Sequence, residues 1–154
     1  GVGPLQDFMS NIAREFGVYL IGGTIPLVSS EPGKVLNTLL AYDTQGHQVA
    51  RYDKMHLFGF TRGDESYDES RTITAGDDVI VLETPQARIG LAICYDLRFP
   101  ELYRTIGQVD CHIISISSYN QIVISIVNRS FCCFIDPVQL RTRAWNSKKL
   151  TSSS

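Results

Sequence analysis

The 154-residue chain has little excess charge of either sign: 14 Lys and Arg stand against 16 Asp and Glu, for a formal net charge of −2. Without a basic face to neutralise phosphates, nucleic acid is excluded as the main partner. The chain also lacks a long apolar run. Its longest, Ile122 to Ile135, is broken by Ser125, Asn128, Arg129 and Ser130, which excludes a membrane-spanning helix and a membrane partner. No basic segment followed by an apolar core opens the chain, so no secretory signal is read there. Paired C-x-x-C spacing is absent too. The cysteines stand at Cys94, Cys111, Cys132 and Cys133, so no zinc site and no other metal is expected. Adjacent Cys132 and Cys133 rarely bridge each other, and all four are read as thiols of a cytoplasmic protein.

What is present suffices for a core. Hydrophobic residues make up 44% and charged residues 19%, which suits one folded domain rather than a disordered chain. Residue 1 is Gly and Pro4 opens a helix almost at once, as in a chain entered partway through a domain. Leu5, Phe8, Met9, Ile12, Ala13 and Phe16 recur at helical spacing, with Gly17 just past the end. Strands are expected over Val18–Gly22, Val35–Tyr42 and His47–Lys54, the last two joined by the turn Asp43-Thr-Gln-Gly46. From Met55 to Asp78 the chain is rich in Gly, Asp and Glu and reads as a long solvated loop, a length that is functional or mobile when found in a compact domain. Val79–Glu83 and Arg88–Cys94 form a second hairpin, Pro100–Ile106 a short helix and His112–Ser117 a strand. Gln121–Ile135 admits two readings, a strand pair or an aggregation-prone segment. Asp136 caps a short helix over Val138–Trp145, and Ser147–Ser154 is a polar, disordered tail.

The central stretch runs from Arg88 to Leu102. Gly90, Ala92 and Cys94 fall on one side of a buried strand, and Ile89, Leu91 and Ile93 on the other. Cys94 therefore stands at a strand-to-helix corner, where backbone N–H groups can bind a developing anion. A thiol there is either a nucleophile or a small buried hydrophobe. Lys54, at the end of a strand, could favour a thiolate and reach a reacting oxygen. Glu69, in the loop, could move protons. Each also has a bland reading, as a surface lysine and a solvated glutamate, and spacing does not bring the three together.

Two motifs carry a resemblance. Tyr52-Asp-Lys-Met-His-Leu-Phe58 and Gly90-Leu-Ala-Ile-Cys-Tyr-Asp-Leu-Arg-Phe-Pro-Glu-Leu-Tyr-Arg104 resemble the nitrilase superfamily of carbon–nitrogen hydrolases. Tyr67–Gly76, Gly17–Pro26 and Leu36–Thr38 fit the same pattern. Within the superfamily the likeness is to the branch of small-acid amidases, including omega-amidase and deaminated glutathione amidase. It implies an α/β fold, an αββα sandwich, and hydrolysis of non-peptide carbon–nitrogen bonds without metal or organic cofactor. By that resemblance Cys94 is the nucleophile, Lys54 stabilises the tetrahedral intermediate with the backbone N–H of Tyr95, and Glu69 is an auxiliary glutamate that positions lysine and substrate. Arg98, Phe99, Pro100 and Glu101 brace the corner, and His56 and His112 are structural. The expected reaction is amide hydrolysis of a small carboxylic acid monoamide through a thioester, with ammonia released. Nitrile or carbamoyl substrates are the alternatives, and homo-oligomers are implied.

Two departures accompany the resemblance. The family's general-base glutamate is expected on a strand upstream of the first helix, and Glu15, inside that helix, does not replace it. The absent strand is expected to leave a sheet edge exposed. After Asn120 the pattern breaks, although Arg141-Thr-Arg-Ala144 faintly resembles a family helix. The expected organisation is thus a partial, incomplete αββα hydrolase domain over residues 1–120, a divergent continuation over 121–146 and a tail over 147–154. A fragment of this kind is expected to be poorly active, or to serve as an inactive interaction module.

Overall fold

A computed structural model describes residues 3–118, together with the backbone of 124–128 and 131–135. Helix α1 (Pro4–Phe16) starts with proline in its first turn and ends at Gly17, whose φ of 60° closes the helix in a left-handed cap. Strands β1 (Tyr19–Val28), β2 (Val35–Tyr42) and β3 (Gln48–Asp53) follow as an antiparallel meander. The β2–β3 turn is held by Asp43, whose Oδ1 accepts the N–H groups of Gln45 at 2.8 Å and His47 at 2.9 Å. Next come β4 (Gly59–Arg62), β5 (Glu65–Asp68), the two-residue β6 (Ile73–Thr74), β7 (Val81–Glu83), β8 (Arg88–Ile93), α2 (Pro100–Gly107), β9 (Ile113–Ser117), β10 (Ile124–Asn128) and β11 (Phe131–Ile135).

Two sheets stack. The first has the order β11-β10-β1-β2-β3, with β6 parallel to the start of β2; the second has the order β7-β8-β9. Alternation, interrupted in β1 by a register shift between Gly23 and Ile25, sorts the side chains into layers. On one face of the first sheet, Leu20, Ile25, Leu40 and Tyr42 receive Met9 and Ala13 of α1. On its other face, Ile21, Leu39, Ala41 and Tyr52 meet Leu82, Ile89, Leu91 and Ile93 of the second sheet. Behind that sheet, Ala92 packs under Leu102 and Ile106 of α2, flanked by Val79, Val81, Ile114 and Ile116. The order helix, sheet, sheet, helix is the αββα sandwich that the resemblance implied. Each fully buried Leu or Ile contributes about 1.5–3 kcal/mol, and the inter-sheet layer holds most of those that are wholly enclosed.

Three expectations change. The stretch read as a solvated loop contains an ordered hairpin, β4–β5, in register from Gly59↔Asp68 to Arg62↔Glu65. Every residue of both strands is exposed, so no apolar alternation announces it; the local signal is Gly63 at φ 60° in its turn. The edge of β1 expected to be bare is paired: Tyr19, Leu20 and Ile21 lie opposite Val127, Ile126 and Ser125 of β10. The segment with two readings is thus a strand pair, β10 against β11. Third, Cys94 does not keep the side that strand alternation assigns to it. The helix at Val138–Trp145 and the tail at Ser147–Ser154 lie outside the described residues.

Candidate active site

The site is built where β3 and β8 end. Tyr52 is wholly buried in the inter-sheet layer, and two residues on Lys54 is 1% exposed. The Lys54 backbone is fixed on both sides: its N–H donates to the Asn37 carbonyl and its carbonyl accepts from Gly76 N–H, each at 2.9 Å. Only glycine allows that approach, because a Cβ at residue 76 would collide with the Asp53 carbonyl oxygen. A buried ammonium is costly unless paired. Here Lys54 Nζ donates to Glu69 Oε2 at 2.5 Å. The same oxygen accepts the Phe58 N–H at 2.8 Å, and Glu69 N–H donates to the Phe58 carbonyl at 2.9 Å. Phe58 and Glu69 thereby extend the β4–β5 ladder by one rung. The hairpin returns the chain so that a glutamate 15 residues on sits against the lysine. Asp68 steadies the 3-10 turn Glu69–Arg71 by accepting the Ser70 N–H at 2.9 Å and its hydroxyl at 2.7 Å. Those bonds hold the Asp68 carboxyl below its ordinary range, the hydroxyl contributing most.

Cys94 opens a 3-10 turn, Cys94–Arg98, directly after β8. Its φ is 47°, a left-handed conformation that L-residues other than Gly, Asn and Asp rarely take. That turn of the backbone takes the half-buried Cys94 off the Gly90–Ala92 side, and it packs, as Met55 does, on the inter-sheet cluster that contains Tyr52. Strain of this kind concentrates at functional sites. Among the described residues no hydrogen bond joins the Cys94 thiol to Lys54 or Glu69. The structure therefore brings Lys54 and Glu69 into direct contact and sets Cys94 on the neighbouring corner. Tyr95 follows Cys94 in the same turn, with its ring edge-on to Phe58 (5.0 Å) and to Phe99 (5.5 Å). Phe99 in turn stacks on His56 with ring centroids 3.7 Å apart.

Sequence reasoning missed the residue at the centre of this arrangement, Asp96. It is wholly buried. Its Oδ2 accepts the Tyr52 hydroxyl at 2.7 Å and the Ile93 N–H at 2.8 Å; its Oδ1 accepts the His56 N–H at 3.0 Å and faces His56 Nδ1 at 2.7 Å. Burial above all, then the bond and the charge of Asp96, push the Tyr52 phenol far above its usual value, so it remains a donor. A carboxylate three residues past the apolar run of β8 was the available signal, since such a group must find partners when buried. His112 Nδ1 accepts the Arg88 N–H at 3.0 Å, a structural contact. Among the described residues no group of three or more His, Cys, Asp or Glu could hold a metal ion.

Comparison with known proteins identifies the family. A family model described as carbon-nitrogen hydrolase matches residues 1–132. A deaminated glutathione amidase of Yersinia enterocolitica is 39% identical over 117 residues, which is 74% of this chain and 41% of that protein. An omega-amidase of Homo sapiens is 39% identical over 113 residues, 73% of this chain and 40% of that protein. The chain thus spans about two fifths of the length of the curated relatives it matches. Among solved structures, an amidase from Nesterenkonia sp. AN1, bearing the Michael adduct of acrylamide at its active-site cysteine, superposes with a TM-score of 0.64. It is 23% identical, over 78% of this chain and 44% of that one, a likeness of fold. The matched region takes in the Lys54 segment, the β4–β5 hairpin and the Cys94 corner, and the chain belongs to the carbon-nitrogen hydrolase family.

Proposed function

We propose that this chain carries the cysteine–lysine part of an amide-hydrolysing site. The observation that supports it most is the buried Lys54 ammonium, paired with Glu69, beside a corner where Cys94 holds a left-handed backbone. Cys94 attacks the amide carbon as the thiolate and a C–S bond forms. Lys54 and the Tyr95 N–H stabilise the oxyanion of the tetrahedral intermediate. The proton that the thiol gave up passes to the nitrogen, the C–N bond breaks, and ammonia leaves a thioester on Cys94. Water then adds to the thioester, the C–S bond breaks, and the acid departs with the thiol restored. Glu69, bonded to Lys54 and to the Phe58 N–H, orients the lysine. The curated relatives' names favour a small carboxylic acid monoamide; nitriles and carbamoyl compounds are the competing substrates. A cytoplasmic setting and self-association into homo-oligomers belong to the same proposal. No helix among the described residues is long and apolar enough to cross a membrane.

A second reading keeps the fold and drops the turnover. Among the described residues, Glu69 is the one carboxylate bonded to Lys54, and a positioned acid–base group contributes about 10²–10⁴-fold. An interaction module with a residual site is the alternative.

Ammonia release by the purified chain, from a panel of short dicarboxylic monoamides, nitriles and carbamoyl amino acids, separates these readings. The hydrolase reading expects release from monoamides that Cys94→Ala abolishes and Lys54→Met lowers by about 10²–10³-fold. Release that survives Cys94→Ala overturns it. A folded chain that releases no ammonia favours the module.

A further inference from the structure

We propose that Asp96 is a positioning residue that fastens the Cys94 corner to the Lys54 segment, so that thiol and ammonium are held in one fixed arrangement. This rests on the reading of Cys94 and Lys54 as the reacting pair. The two lie on different sheets: Lys54 follows β3 of the first, and Cys94 follows β8 of the second. Apolar contacts between stacked sheets are not directional, and the Ser117 hydroxyl adds only a long bond of 3.4 Å to the Gly23 carbonyl across the layer. Asp96 supplies direction. It lies two residues past Cys94, and one of its oxygens takes the N–H of Ile93, the residue before the cysteine, at 2.8 Å. Its other partners flank Lys54 on both sides: the Tyr52 hydroxyl at 2.7 Å, and the N–H and ring of His56 at 3.0 and 2.7 Å. The Met55 N–H adds a longer bond of 3.4 Å to the Tyr52 hydroxyl. One wholly buried carboxylate thus ties the residues on either side of the lysine to the turn that carries the cysteine.

The groups around Asp96 suit a fixed clasp. Tyr52 is a permanent donor, and the His56 ring is clamped from its other side by Phe99, which belongs to the Cys94 corner. Tyr103 of α2 also feels the Asp96 charge: burial, and then that charge, raise its phenol. A displacement of about 1 Å between reacting groups can cost about 10²-fold in rate, so a tie of this kind bears on chemistry and not only on stability.

The rate of Cys94 alkylation by iodoacetamide, read peptide by peptide by mass spectrometry between pH 5 and 10, tests the proposal. It is measured on the 154-residue chain and on Lys54→Met, Asp96→Asn and the double variant. Lys54→Met is expected to move the alkylation midpoint upward, since in the proposed pairing an adjacent ammonium favours the thiolate. Asp96→Asn is expected to move it upward as well, with a fall of about tenfold at neutral pH for each unit of midpoint. Direct electrostatics points the other way, since removal of a nearby negative charge favours the thiolate. A rise therefore reports a misplaced Lys54. The double variant is expected to lie at or below Lys54→Met alone, because Asp96→Asn raises nothing once the lysine is gone and only the direct effect of its lost charge remains.

A folded Asp96→Asn with an unchanged or lowered midpoint overturns the proposal and leaves the hydrolase reading intact, as does full additivity in the double variant. An unchanged midpoint in Lys54→Met overturns the hydrolase pairing and this inference with it. Should Asp96→Asn fail to fold, Tyr52→Phe and His56→Gln each remove one tie. A smaller rise in either supports the proposal, and none in both overturns it.

Discussion

Lys54 and Glu69 form a buried ion pair, Nζ to Oε2 at 2.5 Å, with side-chain exposures of 1% and 13%. The partners come from the end of a sheet strand and the foot of an exposed hairpin, and each would be costly in that place without the other. Loss of the glutamate alone is expected to cost about 3–5 kcal/mol, because it leaves an ammonium buried and unpaired. Urea unfolding of Glu69→Ala measures this. Glu69→Gln, which still offers an oxygen to the Phe58 N–H, is expected to lose less, and the pair Lys54→Met with Glu69→Leu to recover most of the loss.

At Cys94 the relevant quantity is backbone strain. A non-glycine residue in the left-handed region costs about 1–2 kcal/mol. Cys94→Gly is therefore expected to be more stable than Cys94→Ala by about 1 kcal/mol, although glycine normally destabilises through the unfolded chain. Equal stability of the two variants, or a more stable alanine form, would contradict the φ of 47°.

Gly90 sets the spacing between β8 and α2. A Cβ there would lie 2.6 Å from Ile106 Cγ2. Gly90→Ala is expected to cost about 1–3 kcal/mol by overpacking. Ile106→Ala opens the space, so the double variant should be more stable than the two separate losses predict, by about 0.5–3 kcal/mol. A double-mutant cycle in urea measures that coupling.

Alkaline pH probes Tyr52. Its phenol is raised in the folded state, chiefly by burial, while in the unfolded chain it titrates near its ordinary value of about 10. Its contribution to stability is fully present below that value and declines as pH rises above it toward the folded value. The expected slope is about 1.4 kcal/mol per pH unit for one such group. Burial raises Tyr42 and Tyr103 as well, so the alkaline limb is expected to be steep and to flatten in Tyr52→Phe. Unfolding midpoints at pH 9, 10 and 11 decide it.

Much of the fold was legible because local rules produce it. The strand expected over Val35–Tyr42 matches β2 residue for residue, and proline and glycine at the ends of α1 mark its boundaries. β1 was read as ending at Gly22 but runs on to Val28, past Pro26, because pairing with β2 carries it through a register shift between Gly23 and Ile25. The hairpin β4–β5 escaped notice because neither of its faces is buried. The contact of Glu69 with Lys54 follows from the family resemblance, not from spacing, because the hairpin that returns Glu69 to the lysine leaves no apolar pattern.

By itself the sequence determined the order of the buried elements, the apolar faces that must stack into four layers, and the residue types at the strand ends that point to thiol chemistry. Those follow from periodicity and side-chain chemistry, which are local. Only the tertiary structure decided that Cys94 leaves the strand's alternation for the inter-sheet layer, that Glu69 reaches Lys54 through a direct bond, and that Asp96 ties the two strand ends together. Each of these needs a partner far along the chain: Glu69 lies 15 residues from Lys54, and Asp96 lies 44 from Tyr52. A buried charge takes the partner that the packed sheets present to it, and that geometry exists only once the layers have closed.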